Sequence, residues 1–401
     1  MRDNMSNLPT PKTDFPLATA SWDEAEYAAI QRVVDSGRFT MGPLVAEFER
    51  NFAAQVGSKH AVMVNSGSSA NLVLVGAAVL NPDIDLNPGD EVLVPAVSWA
   101  TTYYPLQQYG LTLKFVDIDI NTLNMDLKLA QEAIGPRTKA IFAVNLLGNP
   151  NDFSELASIA RDNRLVLLED NAESLGAVFE GKQAGTFGVM GTFSTFFSHH
   201  ISTMEGGMVV TDDERLRQTL VSLRAHGWIR ELPDENFIHN KTGDPFEDSF
   251  CFALPGYNVR PVEMSGAIGI EQTKKIPTII EGRRRNGAYF VDTVGGIADI
   301  RIQRETGESS WFGFSMVLEG ALAGRRREVG TALTAAGIES RPIVAGNFTK
   351  NPAMKYLDAD VPESLPAADK IHYDGLFVGN RHYETKPSID VLAQVLEGIS
   401  R

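Results

Sequence analysis

Small and hydroxyl-bearing residues form the first segment of the chain that suggests chemistry. The segment SGSSAN, residues 66–71, follows the apolar run HAVMV and precedes an apolar helical pattern. Small residues at a helix start let backbone N–H groups approach an anion, and the helix dipole favours negative charge there. The segment is a candidate phosphate site, and a plain serine N-cap is the alternative that the residues leave open.

An acidic and an aromatic residue follow two other predicted strands. Asp170 ends the apolar run LVLLED, and Trp99 follows EVLVP within PAVSWATT. A carboxylate at a strand end can pair with a pyridinium nitrogen and keep it protonated, which makes such a ring an electron sink. A tryptophan there can stack on a planar ring. Capping and packing are the ordinary alternatives for these two residues.

Two adjacent histidines, His199 and His200, lie in the segment STFFSHHISTMEGG. Imidazole accepts and returns protons near neutral pH. Neighbouring side chains of an extended segment point to opposite sides, so we predict no metal site shared by the pair. The single cysteine, Cys251, provides neither an intrachain disulfide nor the ligands of an iron–sulfur cluster.

Alternating strand and helix patterns place these residues on one sheet. The pattern predicts an α/β fold with a mostly parallel central sheet and helices on both faces, in which ligands bind beyond the carboxyl ends of the strands. The pattern of predicted elements changes near Pro261. A long helical stretch with the basic cluster Arg283 to Arg285 comes first, followed by the strand-like segment SSWFGFSMVLE and a helix around Arg325 to Ala336. We therefore predict an N-terminal tail (1–14), a large domain (15–260) and a smaller C-terminal α/β domain (261–401). The strand candidates are HAVMV, EVLVP, LTLKFVDID, KAIFAVN, LVLLED, GTFSTFF and GGMVVTD.

Composition and charge exclude several classes of protein. The chain has 401 residues, 43% of them hydrophobic, and a formal net charge of -15, which argues against general binding to nucleic acid or to anionic membrane. Its longest apolar run, Leu72 to Leu80, is shorter than the roughly 18 residues of a spanning helix, and the N-terminus lacks a signal-peptide core. We expect a cytoplasmic protein that binds neither nucleic acid nor membrane.

Five segments, taken in order and with their spacing, resemble the sugar-nucleotide enzymes of the DegT/DnrJ/EryC1/StrS aminotransferase family: SGSSAN, PAVSWATT, LLEDNAES, STFFSHHISTMEGG and GYNVRPVEMSGAIG. The resemblance runs from about Phe15 to the end of the chain. It implies the aspartate aminotransferase fold (fold type I), pyridoxal 5'-phosphate (PLP) and its amine form PMP as cofactor, and a homodimer with shared active sites. Residues matching the family's cofactor contacts are Gly67, Ser68 and Ser194 at the phosphate, Asn258 at the partner subunit's phosphate, Asp170 at the pyridinium, Trp99 against the ring and Glu173 beside the ring hydroxyl.

His199 stands where the family pattern has its cofactor-binding lysine. That lysine lies five residues after the serine matching Ser194 and six before the glutamate matching Glu205, and both counts lead to His199. Imidazole cannot form a stable Schiff base with the cofactor aldehyde, and neither Lys182 nor Lys241 lies in the required context. A lysine-based aminotransferase and an inactive cofactor-binding homologue are the alternatives.

The same exchange occurs in a branch of the family, the PMP-dependent sugar dehydratases, which segments such as FTMG, FVDIDINTLN and GESSWFGFS also resemble. The resemblance implies removal of the 3-hydroxyl from a GDP-linked 4-keto-6-deoxy sugar, with glutamate converted to 2-oxoglutarate and ammonia released. His199 would be the base and acid of that reaction. His226 matches a histidine near the active site, with packing as its alternative role, and Arg260 and Arg341 are candidates for binding charged substrate groups.

Overall fold

An eight-stranded sheet forms the centre of the protein, whose computed structural model describes residues 12–400. Residues 1–11 of the predicted tail lie outside the described residues. The strand order is β1-β9-β8-β5-β4-β2-β3-β13, and all neighbours are parallel except the pairs β1·β9 and β8·β9. The strands are β1 (His60–Val64), β2 (Glu91–Pro95), β3 (Thr112–Val116), β4 (Thr138–Val144), β5 (Val166–Asp170), β8 (Met190–Ser194), β9 (Gly207–Thr211) and β13 (Ala359–Asp360).

Each strand predicted in the first two thirds of the chain is present, because its apolar residues are buried on both faces. Val92 and Val94 pack into one core, whereas Leu93 between them packs into another. This period of two is what a strand covered by helices on both sides requires. The helices of this part are α1 (Glu24–Ser36), α2 (Pro43–Val56), α3 (Gly67–Leu80), α4 (Ala100–Gln108), α5 (Leu127–Ala133), α6 (Phe153–Asp162), α7 (Glu214–Leu223) and α8 (Pro245–Asp248), and β6 (Val178–Phe179) pairs with β7 (Lys182–Gln183).

A second, four-stranded antiparallel sheet follows in the C-terminal part, with strand order β10-β11-β14-β12. The predicted strand SSWFGFSMVLE is present only from Gly313 onward, because Trp311 adopts a left-handed φ of 47° and Ser310 N donates to Gly148 O instead of to a strand. The elements are α9 (Glu263–Val294), β10 (Ile300–Ile302), β11 (Gly313–Leu318), α10 (Arg326–Ala335), β12 (Ser340–Arg341), α11 (Pro366–Asp374), β14 (Gly375–Gly379) and α12 (Lys386–Ser400).

The long helix α9 connects the two parts of the protein. Ile270 and Ile280 pack with α2 and β1 in the core of the large sheet, whereas Phe290 packs in the C-terminal core. Phe15 also packs in the C-terminal core, and its N–H donates to Gly337 O at 3.0 Å. The division into domains 15–260 and 261–401 remains a prediction, since apolar packing and backbone hydrogen bonds both cross the boundary.

Candidate active site

A cavity of about 320 Å³ lies at the carboxyl edge of the large sheet. The ends of β1, β2, β5 and β8 converge there because these strands run in the same direction. Seven of the nine predicted site residues line this cavity, and no lysine is among the described residues that do. The seven are Gly67, Ser68, Trp99, Asp170, Glu173, Ser194 and His199.

One end of the cavity is formed by the first turn of α3 and by Ser194 at the end of β8. Ser66 caps the helix by accepting a hydrogen bond from Ser69 N at 3.1 Å. A Cβ atom on Gly67 would lie 2.7 Å from the Cβ of Ser194, so glycine is required for the two segments to meet. Helix N–H groups and hydroxyls gathered in this way suit an anion, and the residues therefore fit a phosphate group.

Asp170 is held in one orientation by three hydrogen bonds. Its Oδ2 accepts from Asn71 Nδ2 and from Thr102 Oγ1, both at 2.8 Å, and its Oδ1 accepts from Ala172 N at 3.1 Å. The side chain lines the cavity although the residue is only 5% exposed. Asn71 is fixed in turn, because its Oδ1 accepts from Thr192 Oγ1 at 2.7 Å. A carboxylate so oriented fits a pyridinium nitrogen.

Asn71 and Thr102 were not among the predicted site residues. Both lie within the segments SGSSAN and PAVSWATT that the sequence analysis singled out, so their polar side chains next to the predicted contacts were the available signal. Phe312, which also lines the cavity, had no such signal because it lies in the C-terminal part and in a predicted strand.

Glu173 and Arg341 both line the cavity and lie next to each other. Arg341 Nη2 lies 4.0 Å from Glu173 Oε1, and Leu147 N donates to Glu173 Oε2 at 3.3 Å. Burial raises the pKa of Glu173 to about 7; the Arg341 guanidinium opposes this shift, and the Asp170 carboxylate adds to it. The Arg341 guanidinium also lies over the Phe377 ring, 4.6 Å from its centroid. The cavity thus contains a carboxyl group that titrates near neutrality beside a fixed cation.

His199 lies in the loop between β8 and β9, residues 195–206, which we call the histidine loop. Its ring packs between Phe196 and Phe312, at centroid distances of 5.9 and 5.2 Å, and its Nδ1 is buried without a hydrogen-bond partner among residues 12–400. Burial lowers the pKa of His199 to about 3, and the charges of Arg341 and Arg283 act in the same direction. The imidazole is therefore neutral in this environment.

His200 is not among the residues that line the cavity. It is 2% exposed, its Nε2 lies 3.1 Å from Ser310 O, and its ring also packs against Phe312, at a centroid distance of 5.6 Å. Burial, with the charge of Arg283, lowers the pKa of His200 well below its ordinary value. The described part of the chain holds no cluster of three or more acidic, histidine or cysteine side chains suited to a metal ion.

His226 and Asn258 do not line the cavity. They lie together in the segment between α7 and α9, where His226 N donates to Tyr257 O at 2.6 Å and Ala225 pairs with Asn258. The His226 ring packs edge-on against Trp228, and Asn258 Oδ1 accepts from Arg260 Nε at 3.1 Å. Within the chain, the structure therefore separates these two residues from the other seven.

The chain matches known proteins over nearly its whole length. A model of the DegT/DnrJ/EryC1/StrS aminotransferase family matches residues 20–395. GDP-4-keto-6-deoxy-D-mannose 3-dehydratase of Escherichia coli O55:H7 is 54% identical over 386 residues, which are 96% of this chain and 100% of that protein. Two solved structures of GDP-4-keto-6-deoxymannose-3-dehydratase are each 54% identical to this chain, and each match covers 96% of this chain and 100% of the other. The first has a TM-score of 0.93 and holds a trapped PLP-glutamate geminal diamine. The second has a TM-score of 0.94 and is a mutant with bound GDP-perosamine. The fold predicted from the sequence is confirmed by these structures.

None of the helices described between residues 12 and 400 is long and apolar enough to cross a membrane.

Proposed function

This chain belongs to the DegT/DnrJ/EryC1/StrS aminotransferase family, and among residues 12–400 its cavity is lined by a histidine and by no lysine; we propose that it is a PLP-dependent sugar-nucleotide 3-dehydratase. Its substrate is GDP-4-keto-6-deoxy-D-mannose, its product is the 4-keto-3,6-dideoxy sugar, and glutamate supplies the amino group that leaves as ammonia. The single observation that carries this proposal is that His199 lines the same cavity as the oriented carboxylate of Asp170. The relatives that are 54% identical over their whole length carry the same activity in their names.

The residues of the cavity fit the cofactor. Gly67, Ser68 and Ser194 would hold its phosphate, Asp170 would pair with its ring nitrogen, and Trp99, which is 56% exposed at the start of α4, would cover the ring. When bound, the cofactor supplies a protonated ring that accepts the electrons of a breaking C–H bond. All of these contacts are noncovalent.

His199 moves the protons of the reaction. Its imidazole, which is neutral in the structure, would accept the proton of the breaking C–H bond. The resulting imidazolium then returns that proton to the 3-hydroxyl oxygen as this group leaves the sugar. The aromatic rings of Phe196 and Phe312 flank the imidazole, and its Nδ1 is buried.

Arg341 and Glu173 complete the cavity on the side of the C-terminal part. We assign to Arg341 the binding of a carboxylate or phosphate oxygen, since its guanidinium has only a 4.0 Å contact with Glu173 and its Nε is buried without a partner among the described residues. Glu173 has a pKa near 7 and would exchange a hydrogen bond with the ring hydroxyl in either protonation state. Arg260 is a second candidate for a charged group of the sugar nucleotide.

A homodimer with shared active sites is part of this proposal. Asn258 lies on the surface of its own subunit, where it would reach the partner's cofactor phosphate, and His226 on the same segment would position it. Exposed apolar side chains near this segment support a covered surface: Phe250 is 68% exposed, Phe252 57% and Val262 53%. We further assign the product to colitose synthesis for the O-antigen of lipopolysaccharide, in the cytoplasm.

The decisive experiment incubates the protein with PLP, glutamate and GDP-4-keto-6-deoxy-D-mannose and identifies the products by mass spectrometry, with ammonia measured in parallel. We expect a deoxygenated sugar and one ammonia per turnover. His199→Asn should abolish turnover while cofactor still binds, and His239→Asn, at an exposed histidine outside the cavity, should leave turnover unchanged. A stable 4-amino sugar, or a covalent PLP adduct after borohydride treatment, would instead support a lysine-based aminotransferase.

A further inference from the structure

The histidine loop is fastened to distant parts of the chain at Ser202, three residues after His199. Both backbone polar groups of Ser202 are bonded to side chains from other elements: its N–H donates to Gln272 Oε1 at 3.0 Å, and its carbonyl accepts from Trp22 Nε1 at 2.9 Å. Ser202 is 1% exposed. Inside the loop, Thr203 N donates to Thr195 O at 2.8 Å, which closes its base.

Gln272 lies on α9, is fully buried and uses every polar atom of its side chain. Its Oε1 also accepts from Ser21 Oγ at 2.6 Å, and its Nε2 donates to Ser21 O at 3.2 Å and to Glu26 Oε1 at 2.7 Å. Glu26 is itself buried, and its Oε2 accepts from Lys275 Nζ at 2.7 Å. One carboxamide therefore joins α9, the start of α1 and the histidine loop.

We propose that Gln272 and Trp22 are positioning residues for His199. They act by fixing the backbone of Ser202 and so the distance of the imidazole from the reacting atoms; neither residue lines the cavity. A proton acceptor must be held to within a fraction of an ångström of its target, and a displacement of about 1 Å costs about 100-fold in rate. This inference rests on the proposed function for the role of His199 but not for the fastening of the loop.

The imidazole of His199 is held in place only by noncovalent contacts. It forms no bond to the cofactor, and its Nδ1 has no hydrogen-bond partner among the described residues. Its position is set by the loop backbone and by the flanking aromatic rings. Bonds to both backbone groups of Ser202 therefore matter directly to the geometry of the base.

The test compares Gln272→Leu and Trp22→Phe with the unmodified protein, all loaded with PLP. Gln272→Leu removes the acceptor for Ser202 N, and Trp22→Phe removes only the donor to Ser202 O while keeping an aromatic ring against Tyr27. Hydrogen–deuterium exchange followed by mass spectrometry should show exchange at least about 10-fold faster in peptides of the histidine loop. The absorbance change from PLP to PMP with saturating glutamate should slow by about 10- to 100-fold, with PLP affinity unchanged.

Gln218→Leu is the matched control, because Gln218 is also buried and bonded, at 2.8 Å to Glu214 Oε1 and at 2.9 Å to Phe237 N, but lies on α7 away from the loop. It should lower the melting temperature without changing loop exchange or the PMP rate. Wild-type rates in both Gln272→Leu and Trp22→Phe would overturn the inference, as would equal slowing in Gln218→Leu. If the unmodified protein forms no PMP, the proposed function fails, and loop exchange alone still decides whether Gln272 fastens the loop.

Discussion

Replacing Thr102 with valine removes one of the buried donors that orient Asp170. Thr102 is fully buried, its Oγ1 donates to Asp170 Oδ2 at 2.8 Å, and it also lies 2.8 Å from Ser98 Oγ. Valine has nearly the same shape, so the substitution deletes two hydrogen bonds without opening a cavity.

The size of the effect follows from the charge of the acceptor. A hydrogen bond to a charged group contributes about 1.5–3 kcal/mol, and one between neutral groups about 1 kcal/mol. We therefore expect the free energy of unfolding to fall by about 3 kcal/mol. With an unfolding entropy of about 2.1 cal/mol/K for each residue of the chain, this corresponds to a melting temperature lower by about 4 °C.

Calorimetry of the cofactor-free protein measures this shift, and Thr219→Val is its control. Thr219 is 1% exposed, but its hydroxyl donates only to the neutral carbonyl of Arg215 at 2.9 Å, so its loss should cost about 1 kcal/mol. The Thr102 variant should also bind PLP more weakly, because the carboxylate that meets the ring nitrogen is then oriented by two hydrogen bonds instead of three. Equal melting temperatures of the two variants would refute the idea that the donors to Asp170 are special.

Three further predictions concern pH and the second subunit. His200 is buried in its neutral form, whereas its side chain in the unfolded protein takes up a proton below about pH 6.5. The free energy of unfolding should therefore fall by about 2 kcal/mol through this residue as the pH is lowered from about 7 to about 5. Urea unfolding of His200→Gln should show a loss that is smaller by that amount. The pKa of Glu173, raised to about 7, means that the folded protein holds a proton that the unfolded chain releases near pH 4.5. The contribution of this residue to stability should therefore fall by up to about 3 kcal/mol as the pH rises from 4.5 to 7, opposite in sign to that of His200. Glu173→Gln should remove this contribution, and an unchanged pH dependence of unfolding would contradict the assignment. Asn258→Ala should weaken PLP binding by about 10-fold, measured by fluorescence titration. If the proposed homodimer carries the change in one chain only, one of its two sites should keep full affinity for PLP. That result would show that each site uses one Asn258.

The sequence predicted the strands and the cavity residues well because both depend on local patterns. Alternating apolar residues marked the buried strands, and the segments that follow them held Gly67, Asp170 and His199. Supporting contacts were beyond its reach, since they join residues that are far apart in the chain: Asn71 is 99 positions from Asp170, and Gln272 is 70 positions from Ser202. In the sequence alone, Asn71 and Gln272 resemble ordinary polar residues of helices, and only the fold brings them to their hydrogen-bond partners.

The absence of a lysine from the cavity wall has a consequence for the life of the protein in the cell. A cofactor held only by noncovalent contacts leaves and returns at rates set by its affinity, so the fraction of working protein follows the supply of vitamin B6. The same binding stabilises the fold, by about 2.7 kcal/mol when free cofactor is 100 times its Kd and by very little when it is scarce. Limitation of the cofactor would therefore reduce both the activity and the persistence of this protein.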